Sequence, residues 1–154
     1  SLGGSEMCIR DSTHAIHTGS NKEGLELTIK ALDGSLDLEK IKYEGVNITD
    51  ADREIIFTNL VDTDMLFGHR NNAKGYGEAI EEIDDYLEKI LPLIGENDLL
   101  IITADHGCDP TVPGTDHTRE QVPVLYYSKN IEPKDLGITL GFDSISKRVS
   151  DWLF

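Results

Sequence analysis

The chain has 154 residues, 38% of them hydrophobic, and its excess of acidic residues gives a formal net charge of −15 at pH 7. This size and composition favour one globular domain over a disordered chain. The charge argues against nucleic acid or an anionic membrane as a partner, because an acidic surface repels phosphate polymers. No apolar run reaches the roughly 18 residues that span a bilayer, and no signal peptide opens the chain. We therefore expect a soluble, cytoplasmic protein.

The first twelve residues show no apolar period and no relation to the pattern that follows. Residues 7–12 resemble the translated end of a sequencing-library adaptor, so residues 1–12 are predicted to be a non-native, unstructured leader. On this interpretation the protein continues upstream, and residues 13–154 are the C-terminal part of a core domain. A flexible native terminus is the alternative.

The first predicted elements are a helix, a surface connection and a strand. A turn or cap at residues 19–21 precedes apolar residues at helical spacing, and Gly34 ends the helix; these apolar residues are Leu25, Ile29 and Leu32. Residues 34–53 are charged and irregular, which predicts a connection on the surface. The β-rich run 54–61 predicts a buried strand.

Two further helices and two further strands complete the predicted fold. After a loop containing Gly68, one apolar helical face is predicted, closed by Gly95; it is formed by Tyr76, Ile80, Ile83, Leu87, Ile90 and Leu91. Residues 98–103 form a continuous apolar strand, which a sheet covered on both faces requires. Residues 122–127 predict a third strand and residues 142–153 a last helix. The order of elements indicates an α/β domain with a largely parallel sheet flanked by helices.

Polar clusters that pair Asp with His follow the predicted strands, at the edge where open α/β sheets bind ligands. Carboxylate oxygen together with imidazole nitrogen suits zinc, manganese or iron rather than calcium. The clusters, at residues 62–69, 103–107 and 114–120, supply five candidate metal ligands: Asp64, His69, Asp105, His106 and His117. Five ligands exceed what one tetrahedral ion takes from a protein, so two ions are expected. Two ions could hold both the attacking and the leaving oxygen of an in-line phosphoryl transfer.

Neighbouring polar residues have more than one possible role. Asp62 is expected to support its loop as a cap or to orient a metal ligand. Gly107 is expected to let the backbone approach an ion or a phosphate. Asp116 either orients a histidine or touches metal, and Arg119 either pairs with Glu120 or binds phosphate. The sequence leaves these choices open.

Three segments carry a resemblance to a known family. Residues 57–70 resemble the phosphopentomutase form of a motif of the alkaline phosphatase superfamily, and residues 103–107 resemble a motif that the superfamily shares more widely. Residues 114–120, followed by Val122 and Pro123, again resemble phosphopentomutase, whereas cofactor-independent phosphoglycerate mutases differ around the equivalent histidine. The resemblance runs from Thr13 to the end, and it implies an incomplete alkaline-phosphatase-like core.

The resemblance also implies a division of the ligands and a reaction. Asp64, His69 and His117 would bind one manganese ion, while Asp105 and His106 would bind the second. An N-terminal aspartate, a phosphorylated threonine that donates phosphate, and a cap domain that contacts the sugar phosphate would all lie outside this chain. The implied reaction exchanges ribose or deoxyribose 1-phosphate with the 5-phosphate, and the chain alone would be inactive. Cys108 departs from the family, where asparagine is usual.

Two other functions fit the same residues. One is another enzyme of the superfamily, such as a phosphoglycerate mutase, phosphatase or sulfatase, which the identity of the upstream nucleophile would distinguish. The other is a non-catalytic metal-binding module, in which loss of His117 would unfold the domain. The sequence does not determine the metal used in the cell, the sugar preferred or the oligomeric state.

Overall fold

The computed structural model describes residues 15–37 and 53–154. In these residues the elements are α1 (Asn21–Leu32), a π-helical turn (Thr63–Phe67), a 3-10 turn (Gly68–Arg70), α2 (Ala73–Ile90), a second 3-10 turn (Leu91–Leu93), β1 (Leu100–Thr103), β2 (Val124–Tyr127) and α3 (Asp143–Leu153). The predicted leader and most of the predicted connection at residues 34–53 lie outside the described residues.

Helix α1 lies where the sequence predicted the first helix, and two side chains cap its start. The Ser20 hydroxyl accepts the N–H of Glu23 at 3.2 Å, as an N-cap serine does. The carboxylate of Asp62 accepts the N–H of Asn21 at 2.7 Å, and the Asn21 side chain accepts the N–H of Asp62 at 2.9 Å. Gly34 follows the helix with a φ of 74°, the left-handed conformation common after a helix end. These two hydrogen bonds join the start of α1 to Asp62, the first residue of the polar cluster at residues 62–69.

Helix α2 has the predicted apolar face but ends earlier than expected. The Asn72 side chain caps its start by accepting the N–H of Gly75 at 3.0 Å. The helix ends at Ile90 rather than near Gly95. The physical reason is Pro92, which has no N–H to donate and whose ring disfavours a continuing α-helix. No helix in the described part of the chain is both long and apolar enough to cross a bilayer.

The core lies between α1, α2 and the turn that follows α2. Its buried side chains are Leu25, Tyr86, Ile90 and Ile94, and the partly buried Ile29, Leu32, Leu60, Ile83 and Leu100 pack against them. Burying such side chains supplies the main driving force for folding, at about 25 cal/mol per Å² of apolar surface. The Tyr86 hydroxyl donates to Glu26 at 3.2 Å, which joins the two helices at the edge of this core.

The predicted strand over residues 54–61 is not a strand in the structure. These residues form neither a helix nor a strand, and they pair with no strand in the described parts of the chain. Ile55 and Phe57 are 66% and 71% exposed, whereas Thr58 shares a hydrogen bond with Thr28 of α1. The prediction failed because β-propensity reflects packing between neighbouring strands and cannot supply a neighbour.

The predicted parallel sheet is also not found in residues 15–37 and 53–154. Strands β1 and β2 form a two-stranded antiparallel sheet in which Leu100 is opposite Tyr127 and Thr103 is opposite Val124. Strand β1 is only partly buried, and Leu125 of β2 is 58% exposed, so the expected cover on both faces is not present in the described residues. An apolar run of this length fits either kind of sheet, and the pairing partner decides which forms. The helices and the small antiparallel sheet are consistent with an α/β fold, whereas a largely parallel sheet is not shown in the described residues.

Candidate metal centre

Three segments of the chain bring the five predicted ligands close together. Asp64 contacts two of the histidines, because its carboxylate oxygens lie 3.3 Å from Nε2 of His69 and 3.6 Å from Nε2 of His117. The rings of His106 and His117 stack, with 3.6 Å between their centroids. Asp105 completes the group through a 3.6 Å approach of its carboxylate to Nε2 of His106. The five candidate ligands, which lie between residues 64 and 117 of the sequence, therefore form one cluster.

The most compact set of candidate ligand atoms joins residues from both expected ions. One atom each from Asp64, His106 and His117 lies within 4.8 Å of the other two. The family resemblance instead groups His69 with Asp64 and His117, and His106 with Asp105. Because His69 also contacts Asp64, both groupings remain compatible with one cluster, and the division between two ions stays a prediction.

Two of the imidazoles are held by backbone carbonyls through Nδ1. The Nδ1 atom of His69 lies 2.5 Å from the carbonyl oxygen of Thr115, and that of His106 lies 3.1 Å from the carbonyl oxygen of Gly107. A carbonyl only accepts, so each Nδ1 must carry the proton and donate it. In the neutral ring the proton is then absent from Nε2, which leaves its lone pair free for a cation. Such carbonyl partners commonly orient metal-binding histidines.

Asp64 is the centre of negative charge in the cluster. Its Oδ1 is buried and makes no hydrogen bond within the described part of the chain, a costly condition for a carboxylate oxygen. Burial raises the pKa of the Cys108 thiol, and the negative charge of Asp64 acts in the same direction. Burial, followed by Cys108 and Asp64, likewise raises the pKa of the Tyr76 phenol. Both neighbours therefore remain neutral near pH 7, and neither balances the carboxylate.

Asp105 is the least enclosed member of the cluster. Its side chain is 92% exposed, compared with 28% for His106. The pair follows shortly after β1, and no helix begins there, so Asp105 does not act as a helix cap.

The Asp64 segment is held in place by α2. Phe67 lies against Gly75 so closely that a Cβ at Gly75 would meet the Phe67 ring at 2.5 Å. A glycine in the first turn of the helix therefore makes room for the aromatic ring. This contact places Asp64 and His69, on either side of Phe67, against the rigid helix start.

Gly107 brings two loops together, and its expected role beside an ion or a phosphate stays a prediction. The N–H of Thr118 donates to the Gly107 carbonyl at 3.1 Å. A Cβ at Gly107 would lie 2.7 Å from the backbone nitrogen of Glu120 and 2.8 Å from the Thr118 carbonyl oxygen. The Thr118 hydroxyl also accepts the N–H of Asp109 at 2.7 Å. These contacts hold the His106 loop against the His117 loop.

The remaining polar candidates differ in outcome. Asp62 acts as a helix cap for α1, the first of its two expected roles. Arg119 is exposed and makes no ion pair within the described residues, so pairing with Glu120 is not observed there and phosphate binding stays a prediction. Asp116 is also exposed, and its role stays open.

Sequence reasoning missed two contributors to the geometry. Thr115 acts through its carbonyl oxygen, for which residue type gives no signal. Asn71 adopts a left-handed conformation with a φ of 50°, and its side chain binds the 110–112 loop. The sequence could have predicted this role for Asn71, because asparagine is among the residues other than glycine that most readily adopt the left-handed conformation.

The donor set fits a divalent cation of the transition series. It combines imidazole nitrogens whose Nε2 lone pairs are free with a carboxylate oxygen that is buried and unsatisfied. Without a cation, the Nε2 lone pair of His69 would face a carboxylate at 3.3 Å, which is repulsive unless the ring is protonated. A cation would remove that repulsion and satisfy Oδ1 of Asp64.

The comparisons with known proteins agree with this chemistry. The family described as Metalloenzyme superfamily matches residues 21–151. A phosphopentomutase of Caldanaerobacter subterraneus subsp. tengcongensis is 44% identical over 140 residues, covering 90% of this chain and 32% of that protein. A phosphopentomutase of Anaeromyxobacter sp. (strain K) is 43% identical over 143 residues, 93% of this chain and 33% of that protein. One of Carboxydothermus hydrogenoformans is 54% identical over 98 residues, 63% of this chain and 25% of that protein. The chain spans about a third of the length of the first two relatives.

Proposed function

This chain belongs to the Metalloenzyme superfamily, and on that premise we propose that it provides most of the metal ligands of a phosphopentomutase. The complete enzyme would exchange the 1-phosphate and 5-phosphate of ribose or deoxyribose. The support is the similarity to phosphopentomutases over most of the chain, together with the histidine and aspartate cluster. The substrate would be a small pentose phosphate, in keeping with a chain too acidic to favour nucleic acid.

The observation that carries the proposal is the convergence on Asp64. Three loops separated by tens of residues place His69 and His117 within 3.6 Å of its carboxylate, with His106 stacked on His117. A buried carboxylate oxygen without a partner is expensive unless a cation occupies the space beside it. We propose that Asp64, His69 and His117 hold one manganese ion and that Asp105 and His106 contribute to a second.

Two divalent ions would supply charge neutralisation for the phosphoryl group, which is what such transfers mostly require. The residues of this chain contribute position and charge. The Thr115 and Gly107 carbonyls orient His69 and His106 with Nε2 unprotonated. Cys108 and Tyr76, both kept neutral by raised pKa values, add no charge that would compete with Asp64.

The phosphothreonine that donates phosphate would lie outside this chain, as would an aspartate of the second ion. The proposal is consistent with the share of the relatives that the chain spans, about a third. It predicts that these 154 residues alone do not interconvert pentose phosphates. Turnover of ribose 1-phosphate with this polypeptide as the sole protein would contradict it. A cytoplasmic location also stays a prediction.

Manganese binding tests the site directly. Titration calorimetry of the 154-residue chain should detect Mn²⁺, and His117→Ala should weaken binding at least tenfold, since it removes a direct ligand. The chain offers a matched control in His17, which is exposed and far in sequence from the cluster; His17→Ala should bind as the unaltered chain does. Circular dichroism should show both variants folded.

Three outcomes would count against the proposal. Equal Mn²⁺ affinity in the His117→Ala variant would remove His117 from the site. Unfolding of that variant without metal would instead favour a structural metal-binding module. An unaltered chain that binds no Mn²⁺ at millimolar concentration would contradict the proposed metal centre as a whole.

A further inference from the structure

Asn71 has an unusual backbone conformation immediately after the candidate ligand His69. Its φ and ψ are 50° and 33°, and in the described residues it alone, apart from glycines, has a positive φ. The N–H of Asn71 donates to the Gly68 carbonyl at 3.0 Å and so closes the 3-10 turn that contains His69. A residue held in this region costs free energy, and it persists where its surroundings require it.

The Asn71 side chain reaches a loop about forty residues further along the chain. Its Nδ2 donates to the carbonyl oxygens of Val112, at 2.7 Å, and Pro110, at 3.4 Å. The left-handed backbone aims the amide at these carbonyls. Because the amide has two N–H groups, it can serve both at once.

The segment that Asn71 binds also contacts His69. Three residues after Val112, the carbonyl of Thr115 accepts the proton on Nδ1 of His69. Residues 111–117 are all exposed, so packing does little to hold this loop. The Asn71 amide anchors one end of the loop, and the Thr115 carbonyl meets the imidazole at the other.

We propose that Asn71 is a positioning residue that orients the imidazole of His69 by holding the 110–115 loop against it. This inference rests on the proposed function, because the orientation of the ring matters for a residue that binds a cation through Nε2. If the loop were released, the Thr115 carbonyl would leave Nδ1, and the ring would lose the contact that directs Nε2 toward the carboxylate of Asp64. Loss of such an orienting partner weakens metal binding.

Two substitutions separate the backbone from the amide. Asn71→Gly keeps the left-handed conformation available and removes the side-chain bonds. Asn71→Asp keeps the shape but places a carboxylate opposite two carbonyl oxygens. The neighbouring Asn72 gives a matched control, because its side chain caps α2 through Gly75 and does not touch the loop. Asn72→Ala should lower the melting temperature and leave His69 unchanged.

The decisive measurement is Mn²⁺ titration of the 154-residue chain and its variants by calorimetry. The unaltered chain and Asn72→Ala should bind Mn²⁺ with equal affinity. We expect both Asn71 variants to bind several-fold more weakly, less than the roughly 10–100-fold that loss of a direct hydrogen-bond partner costs. An affinity in Asn71→Gly equal to that of the unaltered chain would overturn the inference.

Amide hydrogen exchange in the metal-free chain adds a second measurement, which does not depend on Mn²⁺. The N–H groups of Thr111 and Val112 donate to Asp109 within the loop, and they should exchange faster in both Asn71 variants but not in Asn72→Ala. Equal exchange rates in all variants would show that Asn71 does not hold the loop. If the unaltered chain binds no Mn²⁺, the proposed function fails, while the exchange rates still test the contact of Asn71 with the loop.

Discussion

The packing of α1 against α2 and the loops that carry the histidines are stabilised by different forces. Leu25 and Ile90, at 4% and 3% exposed, lie between the helices and exclude water from the interface. His117 is 47% exposed, and its loop is joined to the His106 loop mainly by backbone hydrogen bonds. Asp64, between the two regions, has a buried oxygen with no partner. The helix interface therefore stabilises the fold. The ligand-bearing segments keep charged and unsatisfied atoms, which lower the stability of the fold but are available to bind a ligand.

The largest effect should come from the helix interface. Ile90→Ala removes a buried side chain at 3% exposure and should lower the free energy of unfolding by about 2–5 kcal/mol. Ile80→Ala on the same helix is the control, because Ile80 is 48% exposed and should cost much less. Urea unfolding followed by circular dichroism measures both. Equal losses would show that the helix interface is not the main source of stability.

The junction of the two histidine loops should give an intermediate effect. Gly107→Ala places a methyl group 2.7 Å from the backbone nitrogen of Glu120, and a backbone contact can be relieved only by moving the loops apart. We expect a loss of about 1–3 kcal/mol in unfolding free energy and weaker Mn²⁺ binding.

Gly77→Ala provides the control for that substitution, because no atom lies within 4 Å of a Cβ at this helical position. It should raise the free energy of unfolding by about 0.5–1 kcal/mol without changing Mn²⁺ affinity. If Gly107→Ala also left both quantities unchanged, the close approach of the loops would not matter for the site.

The smallest effect is expected where the two regions join. Asp62→Ala removes the acceptor for the N–H of Asn21 at the start of α1 and should cost about 1 kcal/mol, as the loss of a helix cap does. Asp62→Asn retains an acceptor oxygen and should cost less. Thermal unfolding compares the two variants. A loss of Mn²⁺ affinity in Asp62→Ala, with the fold intact, would show that Asp62 orients a metal ligand after all.

Local sequence patterns predicted the positions of the helices, and they supplied the candidate ligands of the site. The spacing of Leu25, Ile29 and Leu32 identified α1, and Asp62 was recognised as a possible cap. The five candidate ligands lie in one cluster, although their binding of metal is still to be measured. Residue type and position after a strand carry this information, because they need no knowledge of distant partners.

Strand pairing could not be predicted in the same way. Residues 54–61 have the composition of a strand, yet they pair with none in the described residues, and β1 pairs with β2 in the antiparallel direction. Hydrogen bonds between strands depend on which segments meet in space, and an apolar run is compatible with several partners.

The sequence by itself determined the helical periods, the acidic charge and the supply of carboxylate and imidazole groups, since these follow from the order of side chains alone. Only the tertiary structure decided that Gly107 joins two loops, that Asn71 anchors a third segment, and that the Thr115 carbonyl contacts Nδ1 of His69. These features depend on backbone atoms of distant residues, which every residue type possesses and which no sequence pattern distinguishes.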